Sequence, residues 1–225
     1  MARLHRDLPR DAEVAIYYAL ALVATAPRTD TTFAQQKRAA AILNPLFAKY
    51  PNHPGLAHYI IHSTDSPQLA LHGLDAARRY ARIAPAAPHA QHMPSHIFVR
   101  LGLWDETVAS NWRSYRASAA YAASRAMPST GEELHAQLHA LDYAVYAYLQ
   151  EGRDSAARAA VATGQRITLP KSQFRLIGAY NQTAMAARVP LERGDWAAAA
   201  AFPVVTAQGL GIPVALSRFT RALGA

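Results

Sequence analysis

The chain has 225 residues, no cysteine and a formal net charge of +8. That length suits one sizeable core or one continuous solenoid, and the lack of cysteine excludes disulfides and thiolate metal sites. Lysine occurs only at Lys37, Lys49 and Lys171, and the arginines run from Arg3 to Arg221 with their densest patch at Arg78, Arg79 and Arg82; nucleic acid calls for a focused basic stripe, so the charge reads as a solvated surface and no nucleic-acid partner is expected.

Alanine dominates and β-branched residues are sparse, which favours helix. Residues Met1 to Arg10 are charged and lack the apolar centre of a signal peptide. They read as the end of one helix and a turn at Pro9, as if the chain began inside a larger array. The apolar run from Ala15 to Ala26 is about half the length a bilayer span needs, so no membrane partner is expected. The default location is the cytoplasm, with the periplasm open should an export signal lie upstream.

Helical periodicity, broken by proline and glycine, predicts helices over Asp11–Ala26, Thr32–Tyr50, Gly55–Thr64, Pro67–Ile83 and Pro88–Leu101. Further helices are predicted over Asp105–Ala126, Gly131–Gln150, Asp154–Gln165, Ser172–Leu191, Trp196–Gln208 and Pro213–Leu223. Asp30 with Thr31, Ser66 before Pro67, and Thr130 before Glu132 and Glu133 are candidate caps. The segment Phe202–Thr206 is the nearest approach to a strand, and it is too short to pair alone. Three junctions, at Gly102, Gly152 and Gly194, share a pattern: a glycine suited to a left-handed cap, then an acidic residue (Asp105, Asp154, Asp195) within three positions to cap the next helix. Trp104, Trp112 and Trp196, at or after those turns, are expected to plug gaps between paired helices.

These turns resemble the joint between the two helices of a tetratricopeptide repeat, and Tyr50-Pro51 resembles the proline that closes one. The glycine spacing exceeds the usual repeat of about 34 residues, so the units are degenerate or carry insertions. The stretches from Asn52 to His62, from Pro88 to Phe98 and from His139 to Gln150 resemble, more specifically, a group of bacterial tetratricopeptide-repeat proteins, and the likeness spans Asp11 to Trp196. The resemblance implies an all-α, tetratricopeptide-like α-α superhelix of about five hairpins, a single domain forming the C-terminal part of a longer array.

Most of the ten histidines gather in one stretch. His58, His62 and Asp65 stand at i, i+4 and i+7, on one stripe of a helix. Paired imidazoles one turn apart can grip a transition metal, and a carboxylate beyond them can complete or orient the site. Ser66-Pro67 follows at once, so the helix can end before Asp65. His89, His92 and His96 stand at i, i+3 and i+7, but Pro94 can open a new helix and leave His89 and His92 in a loop. His135 and His139 form a third pair, with Asp142 beyond. Without sulfur the ligand set suits zinc, copper, nickel or iron. The competing reading packs these imidazoles between helices against Tyr17, Tyr18, Tyr59, Tyr143 or Tyr146. Ser63, Thr64 and Ser95 are weak candidate nucleophiles, and no hydrolase elbow, phosphate loop or dinucleotide fingerprint occurs.

The leading expectation is a scaffold that binds a protein or peptide in a concave groove through His58, Tyr59, His62, His89, His92, His96, Arg100 and His139. The alternative is a metal-dependent hydrolase or oxidase with His58, His62, Asp65, His92 and His96 around the ion. A purely structural array is the third reading.

Overall fold

The computed structural model describes residues 1–124, 132–169, 171, 174–206 and 208–225. Among these residues every regular element is an α-helix, and 202–206 is irregular. The helices are α1 (Ala2–Asp7), α2 (Ala12–Ala24), α3 (Ala34–Lys49), α4 (Pro54–Thr64), α5 (Ala70–Ile83), α6 (Pro88–His92) and α7 (Pro94–Leu101), then α8 (Trp104–Ser124), α9 (Glu132–Gln150), α10 (Asp154–Gln165), α11 (Arg175–Arg193), α12 (Trp196–Ala200) and α13 (Gly211–Gly224). None of the described helices is long and apolar enough to cross a membrane.

The predicted helices are found, with three corrections. The segment Pro88–Leu101 is two helices, because Pro94 opens α7 as its first residue. The helix expected from Trp196 to Gln208 stops at Ala200; Pro203 has no N–H and its ring would strike the carbonyl four residues back. The helix expected from Pro67 begins only at Ala70, whose N–H and that of Leu69 both reach the Ser66 carbonyl. The expected cap at Thr130, the starts at Gly131 and Ser172 and the end at Ala126 lie outside the described residues.

The capping chemistry is only partly as expected. Gly102, Gly152 and Gly194 all take the left-handed conformation, with φ of 69°, 71° and 62°, which a Cβ would disfavour. Of the three acidic residues that follow them, Asp195 caps the next helix through its side chain, accepting from Ala198 N–H at 3.0 Å. Asp105 and Asp154 lie inside the first turn, where they favour the positive end of the helix dipole. Asp30 works from farther out than expected: its carboxylate accepts from Thr32 and from the N–H of Ala34, the first residue of α3.

The chain forms two compact units, one of residues 1–86 with 90–103, the other of residues 87–89 with 104–225. In the first, α2 packs on α3, α3 on α4, α4 on α5, and both α4 and α5 meet α7. Its core is built from Ile16, Leu43, Leu56, Ile60, Ile61, Met93 and Ile97, each almost fully buried; burying one such side chain contributes about 1.5–3 kcal/mol. α4 starts where it does because His53 caps it: the imidazole Nδ1 accepts from Leu56 N–H at 3.3 Å, Pro54 takes the first turn, and Nε2–H donates to Glu13 at 2.8 Å. α5 lies close against α4 because Gly73 has no Cβ. A methyl there would run into the Thr64 hydroxyl and come within 3.1 Å of Ile97.

In the second unit α9 is the central helix and packs against α8, α10 and α11, while α13 packs against α11 and α12. Leu138, Leu141, Val145, Leu149 and Met185 fill its core. Two of the three tryptophans are tied into this unit as expected. Trp112 donates its indole N–H to the Tyr148 hydroxyl at 2.9 Å, and Trp104 meets the Tyr146 ring edge-on. Trp196 does not fit the expectation of a buried plug, since it is 52% exposed.

Candidate metal centre

The first unit gathers four histidines and one arginine from α4, α6 and α7, with one carboxylate from just past the end of α4. His58 and His62 lie one turn apart on α4, and their Nε2 atoms face each other at 3.0 Å. His92, the last residue of α6, and His96, in the first turn of α7, have Nε2 atoms 3.1 Å apart. The rings of His62 and His96 are neighbours, with centroids 6.4 Å apart.

Asp65 organises this set from just past the end of α4, where Ser66-Pro67 was expected to let the helix stop. α4 ends at Thr64, and Asp65 is the residue that caps it. One carboxylate oxygen accepts from His96 Nδ1 at 2.9 Å, and the other accepts from Arg100 Nε at 2.9 Å. Asp65 is thus an orienting group for His96 and is not aligned with His58 and His62 as a third ligand. Burial alone would raise its carboxyl; the bonds from His96 and Arg100 outweigh that and hold it below the ordinary aspartate value.

This arrangement fixes a tautomer. With Nδ1–H given to Asp65, a neutral His96 carries its lone pair on Nε2, the atom that faces His92. A carboxylate behind a histidine whose far nitrogen faces another imidazole is the outer-shell pattern of metal-bound histidine. The 3.1 Å contact is itself a hydrogen bond, which His92 Nε2–H donates to this lone pair; one ion bound tetrahedrally by both nitrogens would open it only to about 3.3 Å.

The His58 ring stacks on Tyr59 at 5.3 Å and on Tyr80 at 5.6 Å between centroids. Burial pushes both phenols above their usual value, helped at Tyr59 by Tyr17 and Glu13 and at Tyr80 by Tyr59. These neutral rings position the imidazole through faces. Of the tyrosines named as histidine partners, Tyr18, Tyr59 and Tyr143 meet a histidine ring, on His5, His58 and His139, through their faces or edges. Tyr80 lay outside the tyrosines expected to pack on histidine. Its signal was the apolar spacing Ala76, Ala77, Tyr80, which turns it inward.

The weak nucleophile candidates are occupied otherwise. The hydroxyls of Ser63 and Thr64 donate to the Ile60 carbonyl, and that of Ser95 donates to the His92 carbonyl at 2.7 Å. All three are buried. His89 lies in α6 and falls to the second unit, as does His139 in α9. There His135 and His139 stack face to face, 5.6 Å apart and 22° from parallel, and Tyr143 meets His139 edge-on. Asp142 turns to Arg188, which bonds both carboxylate oxygens at 2.9 and 3.2 Å. Sequence gave no sign of Arg188 as that partner.

The chain matches no family model, no curated protein and no solved structure.

In chemical terms, this cluster offers four imidazoles, of which His92 is buried, His58 and His96 half-buried and His62 exposed. Neutral imidazole nitrogens in this number suit a borderline divalent ion such as zinc, copper, nickel or iron.

Proposed function

We propose that the protein binds a divalent transition metal in its first unit, with His92 and His96 as the best-prepared ligands. The single observation that carries this reading is His96, tied through Nδ1 to Asp65 and facing the His92 Nε2 with its other nitrogen. A divalent ion held by His92 and His96 would supply Lewis-acid chemistry to a bound water or substrate oxygen. Arg100 supports the ion indirectly by sharing the carboxylate that orients His96. The test is metal analysis of the tag-free protein, alongside His96→Ala and Asp65→Asn. A stoichiometric ion that His96→Ala loses and Asp65→Asn holds more weakly is the expected result; a metal-free protein after zinc loading overturns it.

The second reading is a peptide-binding scaffold with tetratricopeptide-like stacking of hairpins. It is favoured by a furrow of about 460 Å³ in the second unit, lined by Tyr180, Leu191, Ile212, Leu216 and Phe219 with Arg188 and Glu192. The left-handed turns at Gly152 and Gly194 support the repeat kinship. Panning a peptide library against the protein and against Phe219→Asp tests it; no sequence enriched by the unaltered protein alone retires it.

A further inference from the structure

We infer that the first unit holds two metal ions side by side, the second on the His58–His62 pair of α4. This rests on the metal reading above and extends it from one ion to two.

The division of the imidazoles into pairs carries the inference. Each Nε2 faces the Nε2 of its own pair, at 3.0 Å in α4 and 3.1 Å between α6 and α7. Histidine groups with metal-ligand spacing put His58 with His62, and His92 with His96, in separate sets. A single ion coordinated by all four would need every nitrogen within about 4.2 Å of every other, twice a zinc–nitrogen bond. Pairing nitrogen to nitrogen across two separate contacts does not present such a quartet.

The α4 pair is also built as a site in its own right. Its i, i+4 spacing on one regular helix sets both rings on one face. The His58 ring stacks on both Tyr59 and Tyr80, so part of its rotational freedom is already lost before binding. His62 is exposed, which gives an ion a route in from solvent. The two pairs adjoin through the His62 and His96 rings at 6.4 Å. The ligand class for the new site is the same as for the first, a divalent transition ion bound by neutral imidazole.

The experiment counts ions. Tag-free protein is loaded with zinc, freed of excess by gel filtration and assayed for metal per chain. The same is done for His58→Ala with His62→Ala, and for His92→Ala with His96→Ala. Two ions in the unaltered protein and one in each double variant is the expected result. One ion in the unaltered protein overturns the second site while leaving the first reading intact, and no ion at all overturns both. Helical circular dichroism checks the variants' fold. Should the His58 variant fail to fold, exposed His62→Ala alone replaces it, with one ion expected and two overturning the inference. Loading with copper(II) adds an independent measure: dipolar broadening of the electron paramagnetic resonance signal is expected, and an isolated-ion spectrum at full loading counts against adjacency.

Discussion

The two units carry the same local ingredients, a histidine pair one helical turn apart with an aspartate nearby, and put them to different use. In the first unit the aspartate stands just past the helix end, where it swings to α7 and bonds His96 and Arg100. In the second, Asp142 stays on the helix with His139 and is bonded by Arg188. Histidine spacing is therefore not what separates the two. The position of the carboxylate relative to a helix end decides which partners it takes, His96 and Arg100 on α7 in the one case and Arg188 in the other.

The largest test of that contrast removes one pair at a time. His92→Ala with His96→Ala is expected to abolish binding at their site, whereas His135→Ala in the second unit is expected to leave the ion count unchanged; metal content after gel filtration reads both. Equal losses would erase the distinction between the units.

A second comparison concerns packing around glycine. Gly73→Ala forces a methyl against Thr64, whose hydroxyl is already tied to the Ile60 carbonyl, and against Ile97. A loss of about 2–3 kcal/mol is expected, as for overpacked cores. At Gly164 in the second unit the obstacle is the terminal methyl of Met185, 2.6 Å from the new Cβ. That chain end can swing away, and alanine gains helix propensity of about 1 kcal/mol over glycine. Gly164→Ala is expected to fall within about 1 kcal/mol of the parent. Urea unfolding of both variants checks the ranking, and a Gly164 variant as unstable as the Gly73 variant would contradict it.

Asp65→Asn is expected to weaken metal binding about 10- to 100-fold without abolishing it, the usual effect of losing an outer-shell carboxylate. Competitive titration against a zinc chelator measures it; an unchanged affinity would show that His96 needs no orienting partner.

The smallest effect lies at Asp142. Burial pushes its carboxyl above the ordinary value, and the nearby Arg188 offsets only part of that. A carboxyl raised by folding contributes stability that is complete below its unfolded pKa and lost as pH rises through the folded one. Asp142→Asn should therefore fall furthest behind the parent in acid, with the gap narrowing toward neutrality. Thermal midpoints of both proteins between pH 4 and pH 7, differenced at each pH, carry the test. A gap that widens toward neutrality would mean that the Arg188 ion pair outweighs burial.

Much of the helical content was legible from alanine content and from proline and glycine punctuation, because those residues act on the backbone within a turn of themselves. The break at Pro94 was foreseeable for that reason, and the stop after Ala200 was equally available from Pro203. Pairing within the first site was half legible: His58 and His62 share a helix, so spacing suffices. The bonds from Asp65 to His96 and Arg100 span 31 and 35 positions. They depend on where α4 ends and on how closely Gly73 lets α5 pack, which is tertiary information. Tyr80 and Arg188 were missed for the same reason.

The break at Pro94 has one further effect. α6 ends at His92, and the Ser95 hydroxyl donates to the carbonyl of that residue at 2.7 Å. A seam in the backbone thus runs between two imidazoles that face each other, and one small hydroxyl spans it. Tuning the angle between them requires no change to either ring, only to the residues that set how tightly this seam is stitched.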